Sequence, residues 1–155
     1  MSYRLADQWR LQIAYTYIDA VYSDAYLTCV AAPCATPTAL VAAGSRLPGV
    51  PKNDAYAGLH WGPGVGWHAG GSLQYISSVA ANDMNTVFTP GYATFGLDGG
   101  YGVQLQSMRV NGFVRINNLF DRHYVGSVIV DDGNGRFFEP GPGFSILAGA
   151  SISFE

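Results

Sequence analysis

The sequence predicts an all-β fold: an antiparallel transmembrane β-barrel fragment, laid out as a meander of about six strands, too few to close alone. Three observations predict it. Apolar residues make up 48% of the 155-residue chain and aromatics 14%, but charged residues only 12%, about half the usual share in a soluble domain. A surface so poor in charge is hard to keep in water. Apolar residues recur with period two and show little of period 3.6, and no unbroken apolar run approaches the roughly 20 residues of a spanning helix. Finally, the connections run long, short, long, short, long, the habit of barrels with long extracellular loops and tight periplasmic turns.

The first alternating segment runs from Trp9 to about Tyr22, with Trp9, Leu11, Ile13, Tyr15 and Tyr17 on one face and Arg10, Gln12 and Thr16 on the other. Ser23 to Val50, with both cysteines, Pro33, Pro37 and Pro48, reads as a long loop. A second strand spans Asp54 to Trp61 and a third Trp67 to about Val79, joined by the glycine-rich turn Gly62 to Gly66. Folding this hairpin about Gly64 sets Trp61 against Trp67 and His60 against His68. Both tryptophans then sit on the apolar face beside the turn, where an aromatic girdle meets the membrane interface.

After the loop Ala80 to Pro90, a fourth strand covers Tyr92 to Val103, with Ala93, Phe95, Leu97 and Tyr101 on the apolar face. The turn Gln104 to Ser107 leads to a fifth strand, Arg109 to Leu119, with Val110, Val114 and Ile116 outward and Asn111, Arg115 and Asn117 inward. A polar loop, Asp121 to Gly143, precedes the last strand, Phe144 to Phe154. No charge falls on any proposed apolar face, whereas Arg10, Asp98 and Arg115 fall on the opposite one. A strand stub before Ala6 is also allowed.

The net charge of −3 and pI near 5.4 give no support for nucleic-acid binding. The first residues, Met1 to Asp7, carry no apolar signal-peptide region. A barrel of this kind needs export, so the expectation is a chain that lacks its own signal peptide and is cut from a longer protein. Cys29 and Cys34 have C-x4-C spacing, which fits a small disulfide-closed loop on an exported protein better than a metal or redox pair.

Arg115 to Val125 reads RINNLFDRHYV. Asn117, Asn118, Leu119, Phe120, Asp121 and Tyr124 within it resemble the N-N-L-F-D-x-x-Y segment near the C-terminus of TonB-dependent receptors. Leu11 to Ala20, with Y-T-Y-I-D-A, resembles a strand of the same family, and Arg46 to Lys52, RLPGVPK, resembles the segment preceding its next strand in the siderophore-receptor branch. Glu139 to Gly143 followed by Phe144 to Phe154 is similar to the family's lead-in to its final strand. Phe144 stands where the family often has Arg, and Glu155 follows the aromatic Phe154 with which such chains commonly end.

The resemblance implies a large plugged barrel of about 22 strands, of which residues 1–155 are the C-terminal wall; the plug and N-terminal strands are then absent from this chain. It implies import of a ferric siderophore or similar ligand across the bacterial outer membrane. The partners implied are outer-membrane lipid, the TonB complex through the missing plug, and the barrel-insertion machinery through Phe154. No cofactor, metal or catalytic residue is implied, and the protein is expected not to be an enzyme.

The structural reading of each candidate residue stands beside a functional one. Asn117, Asn118 and Asp121 lie where the fifth strand leaves the membrane, so bonding turn backbone is expected of them before ligand contact. His60 and His68 could bind a metal, but no third ligand is at hand and a polar lumen lining is expected. Asp131 and Asp132 lack calcium-loop spacing. Phe88, Tyr124, Arg136, Phe137 and Phe138 lie in or near extracellular loops and are the candidate ligand contacts. The alternatives are a small self-contained outer-membrane barrel with a structural or adhesive role, and a soluble barrel that turns its apolar face inward around a ligand.

Overall fold

The computed structural model describes residues 1–31 and 33–154; Glu155 lies outside the described residues. A seven-stranded antiparallel meander dominates it: β1 (Ser2–Ala6), β2 (Trp9–Tyr17), β5 (Asn53–Trp61), β6 (Gly66–Ile76), β9 (Tyr92–Leu105), β10 (Met108–Asn117) and β13 (Ser145–Phe154), in that order. β1 and β13 are its two edges, so the sheet is an open wall. The spanning strands β2, β5, β6, β9, β10 and β13 run 9, 9, 11, 14, 10 and 10 residues, the length a tilted membrane strand needs.

Register propagates one face across the sheet. Tyr3 pairs with Leu11, Leu11 with Leu59, Leu59 with Gly71, Gly71 with Leu97, Leu97 with Ile116 and Ile116 with Ile146. The residues assigned outward from their period thus line one continuous apolar surface, except Val79, expected outward on the third strand, which lies buried in the following loop and pairs with Thr89. Trp9, Trp61, Trp67 and Tyr101 band its short-turn end, with Trp67 and Tyr101 edge-on at 5.0 Å. Tyr15, Tyr17, Tyr75 and Phe95 band the other end. From Trp67 to Tyr75 the strand rises about 27 Å at roughly 3.4 Å per residue. A tilted strand of that length matches an apolar band about 25 Å tall.

Several boundaries differ from the sequence reading. The stub before Ala6 is a full ladder strand, giving seven strands rather than six. β2 ends at Tyr17 instead of Tyr22, and Val21 keeps only a single bridge to Arg46. β6 ends at Ile76, because Val79 and Ala80 pair with Phe88 and Thr89 within the next loop. The β5–β6 hairpin does not fold about Gly64: Trp61 pairs with Ala69 and His60 with Gly70. Gly62 and Gly66 sit at φ 134° and 101°, so the chain swings wide around Pro63 and the register moves by two residues. A shift of two preserves the faces. Trp61 and Trp67 stay on the apolar side, while His60 and His68 share the other without opposing each other.

The long loops are not irregular. Each holds a hairpin: β3 (Tyr26–Thr28) with β4 (Ala39–Val41), β7 (Val79–Ala80) with β8 (Phe88–Thr89), and β11 (Val125–Val128) with β12 (Phe138–Pro140). They pack into one cap around the buried Val41, Val79, Ala80 and Ala81. The middle loop is the keystone. The Asp83 carboxylate accepts hydrogen bonds from Tyr22 (2.5 Å) and Tyr26 (2.8 Å) of the first loop, while its N–H donates to Asp131 Oδ1 (2.9 Å) of the third. Asn85 accepts from the Arg46 N–H (2.6 Å) and donates to its carbonyl (2.8 Å).

Burial, and then the Asp83 carboxylate, push the Tyr22 hydroxyl above the usual phenol range. Burial and neighbouring Asp83 raise the Asp131 carboxyl as well. Both groups therefore stabilise the cap in their protonated forms. The Tyr22 contribution is intact below the ordinary phenol value of about 10 and is lost as pH rises above it. The Asp131 contribution is intact below the ordinary carboxylate value and is lost as pH climbs through its raised one.

Two expectations follow from this architecture. Within the closed barrel of a complete protein, Leu97→Lys should lower stability in lipid vesicles by about 2–4 kcal/mol, and Asn111→Lys on the opposite face by far less; equal losses in urea titrations would refute the face assignment. Asp83→Ala should speed amide exchange at Tyr22, Leu47 and Asp131 together while strand amides stay protected. Exchange confined to residues 83–85 would show three independent loops.

Candidate functional site

The face opposite the apolar one is concave and polar, and it is divided by height. A charged belt crosses six strands as cross-strand neighbours, close to the short turns in β2 and β5 but close to the loop end of β10: Arg4, Arg10, His60, Gly70, Asp98 and Arg115. His60 Nδ1 lies 3.6 Å from Asp98 Oδ2, an ion pair when the imidazole is protonated. Gly70 lets that pair form, because a Cβ there would collide with the imidazole and lie 2.8 Å from Asp98 Oδ1. A hollow of about 270 Å³ opens at this level beside Arg4, Arg10, His60 and His68.

The two rows above the belt are neutral. One row reads Gln12, Gly58, Ser72 and Gly96, and the next Ala14, Tyr56, Gln74 and Thr94. Together with Asn117, Asn118, Tyr124 and Ser145, the Tyr56, Ser72, Gln74 and Thr94 side chains line a cavity of about 370 Å³. Its lining carries hydroxyls and amides and no formal charge. The glycines are what open it: the Tyr56 hydroxyl lies 2.7 Å from where a Gly58 Cβ would stand, and Ser72 Oγ 2.8 Å from that of Gly96.

The motif residues sit at the rim of this shelf. Asn118 is buried and left-handed (φ 48°), a conformation that asparagine tolerates better than most residues. Its amide donates to the carbonyls of Arg122 (2.9 Å) and Pro142 (3.1 Å), and its Oδ1 accepts from the Arg122 N–H (2.8 Å). Asp121 (φ 47°) accepts from the Phe144 N–H (2.8 Å). These bonds staple the end of β10 to the start of β13. Asn117 adds a bond to Ser145 Oγ at 3.3 Å. The Leu119 N–H donates to the Phe95 carbonyl (2.8 Å), and Phe120 packs edge-on against Phe95 at 5.3 Å, with 71% of its surface exposed on the apolar side. Phe154, the last described residue, pairs with Met108 at the short-turn end.

The five loop candidates do not converge. Tyr124 stacks on Tyr92 at 4.1 Å and alone among them reaches the shelf. Phe88 lies in the cap under the Arg46 guanidinium at 5.7 Å, which is itself held by the Ser78 carbonyl at 2.7 Å. Phe137 packs beside Thr28, Cys29 and Met84, and the neighbouring Phe138 ring is tilted against it with centroids 6.3 Å apart. Arg136 is anchored through its N–H to Asp132 (2.6 Å). Cys29 and Cys34 are joined as a disulfide that closes the β3–β4 tip. Sequence reading passed over Tyr56, Ser72, Gln74 and Thr94. Strand parity was the available signal, since all four fall on the inward face.

Asn118→Ala should destabilise the β10–β13 exit by about 2–3 kcal/mol, from lost bonds and a left-handed alanine. Asn118→Gly should recover the backbone part. Identical melting of the two variants would remove the conformational half of this account.

Comparison with known proteins adds lineage to geometry. A sequence model described as TonB dependent receptor-like, beta-barrel matches residues 1–119. The ferrioxamine B receptor of Salmonella typhimurium is 31% identical over 130 residues, which are 79% of this chain and 16% of that protein. Among solved structures, the siderophore receptor PiuA from Acinetobacter baumannii superposes with a TM-score of 0.80 at 22% identity, over 98% of this chain and 20% of PiuA. The copper transporter OprC gives 0.62 at 21% identity, over 99% and 21%. This chain thus spans about a fifth or less of the relatives it matches. The family is one of outer-membrane transport receptors, and this chain belongs to it, through the β-barrel of the TonB-dependent receptors.

Proposed function

We propose that residues 1–155 are the C-terminal wall of a TonB-dependent receptor that imports a ferric siderophore, as the 31%-identical ferrioxamine B receptor does by its name. The single observation that carries this reading is the division of the sheet into a continuous apolar face and a polar concave face graded from charged belt to neutral shelf. Such a wall faces lipid on one side and an aqueous lumen on the other. In this reading a plug outside the chain fills the lumen and contacts TonB. Phe154 serves the insertion machinery, and the cap forms part of the extracellular mouth. Tyr124 touches cargo from the shelf rim, while Phe88, Arg136, Phe137 and Phe138 act from the loops. The protein transports and does not catalyse.

The open sheet also speaks against a self-contained small barrel, since β1 and β13 are unpaired edges and an unpaired edge is unsustainable in hydrocarbon. Expressed by itself, the chain should need detergent to stay dispersed; a monodisperse monomer in plain buffer would contradict the lipid-facing assignment. The transport reading is tested by iron-limited growth of cells whose only siderophore receptor is the complete protein. TonB-dependent growth on a supplied ferric siderophore is expected. No growth on hydroxamate, catecholate or carboxylate siderophores, with the receptor present in the membrane, would refute it.

A further inference from the structure

The apolar face is not evenly filled. A groove of about 730 Å³ lies across β6, β9, β10 and β13, within the roughly 300–1,000 Å³ of small-molecule sites. Two cross-strand pairs bound it, Trp67 with Tyr101 at one end and Leu97 with Ile116 at the other. Between them Ala69, Gly99, Gly112 and Ala148 keep the floor near the backbone, and a Cβ built on Gly112 would meet no atom within 4 Å. Strand parity turns all of these outward, whereas His68 and Asp98, also on the groove's border, point inward. The rows on either side carry full-sized side chains: Leu73 and Phe95 beyond Leu97, and Val103, Val110 and Ile152 beyond Tyr101.

This face meets lipid, and two features fit the groove to a single lipid chain rather than to a protein surface. Along β9, Tyr101 to Leu97 spans about 14 Å at roughly 3.4 Å per residue. On a tilted strand that approaches the depth of one leaflet, half of an apolar band about 25 Å tall. The polarity is also one-ended. Trp67 follows Gly66 at the short turn and offers an indole N–H, and Tyr101 beside it offers a phenol O–H. Every other outward side chain in the lining is apolar. Interfacial Trp and Tyr hold such donors at the level of lipid headgroups. Bulk acyl chains have no hydrophobic drive toward an apolar wall, so a retained lipid is held by packing into the hollow and by those two donors. We propose that the groove is a lipid site that holds one acyl chain of a glycerophospholipid from the periplasmic leaflet, its ester and phosphate oxygens against Trp67 and Tyr101. Cargo identity does not enter this inference.

The test uses the complete receptor, supplied with palmitoyl-oleoyl phosphatidylethanolamine, exchanged into lipid-free mild detergent and weighed by native mass spectrometry. Gly112→Phe fills the hollow with apolar bulk and without collision at its Cβ. It should hold one phosphatidylethanolamine fewer than the wild type. Trp67→Leu keeps the apolar wall but removes a donor, and should shed the lipid at lower collision energy. Ala148→Leu fills the other end of the groove and replaces Gly112→Phe if that variant does not fold; unchanged melting shows that the barrel is intact. A wild type that retains no phosphatidylethanolamine, or equal retention by the wild type and the filled variant, would overturn the proposal. So would lipopolysaccharide or a second copy of the receptor held in place of the phospholipid.

Discussion

Everything in this structure depends on one requirement: a strand crossing hydrocarbon must satisfy every N–H and C=O within the sheet. That requirement forces continuous ladders, and continuous ladders make side-chain parity global. Once Leu11 pairs with Leu59 and Leu59 with Gly71, the face of every residue in the seven-stranded ladder follows. A slip of one residue at a hairpin would turn the strands beyond it over and deliver their charges, such as Asp98 or Arg115, to lipid at a cost of several kcal/mol. The same parity that keeps charge out of the bilayer assembles the belt and shelf from residues far apart in sequence.

Outside the membrane the constraint relaxes and a different one takes over. Loops long enough to build a mouth must order themselves without a ladder to lean on. Here they do so through short hairpins and a few polar contacts that converge on the Asp83 and Asn85 segment. Burial there is slight, confined to small side chains such as Ala80 and Ala81, so direction-specific hydrogen bonds carry more of the order than apolar area does. The Asn118 and Asp121 staple serves the same end at the third loop, tying its two feet together where β10 and β13 diverge.

How much of this was legible in the sequence follows from those two regimes. Strand faces were readable because period two survives errors in where a strand begins or ends: β6 stops at Ile76 rather than Val79 and its faces do not change. The two-residue shift at Trp61 was not readable, since it depends on the backbone angles of Gly62 and Gly66. The loop hairpins escaped notice because two- to four-residue strands leave no periodicity. The role of Asn118 as a turn-bonding residue at the strand exit was foreseeable from its chemistry. The shelf was harder: neutral hydroxyls and amides scattered over β5, β6, β9 and β10 form no motif, and only register brings Tyr56, Gln74 and Thr94 into one row. Aromatic loop residues attracted attention for their composition, yet of the five only Tyr124 reaches that cavity.

The central claim is that the convex face meets lipid, and the chain's three tryptophans report on it directly. Trp9, Trp61 and Trp67 all lie on that face at its short-turn end, with 40%, 37% and 68% of their surfaces exposed. In the complete receptor carrying these as its only tryptophans, reconstituted into vesicles of brominated phospholipid, their fluorescence should be quenched strongly, and more by bromine near the headgroup than by bromine at the acyl-chain centre. Fluorescence indifferent to brominated lipid, with quenching by aqueous iodide instead, would place this face away from the membrane and contradict the account.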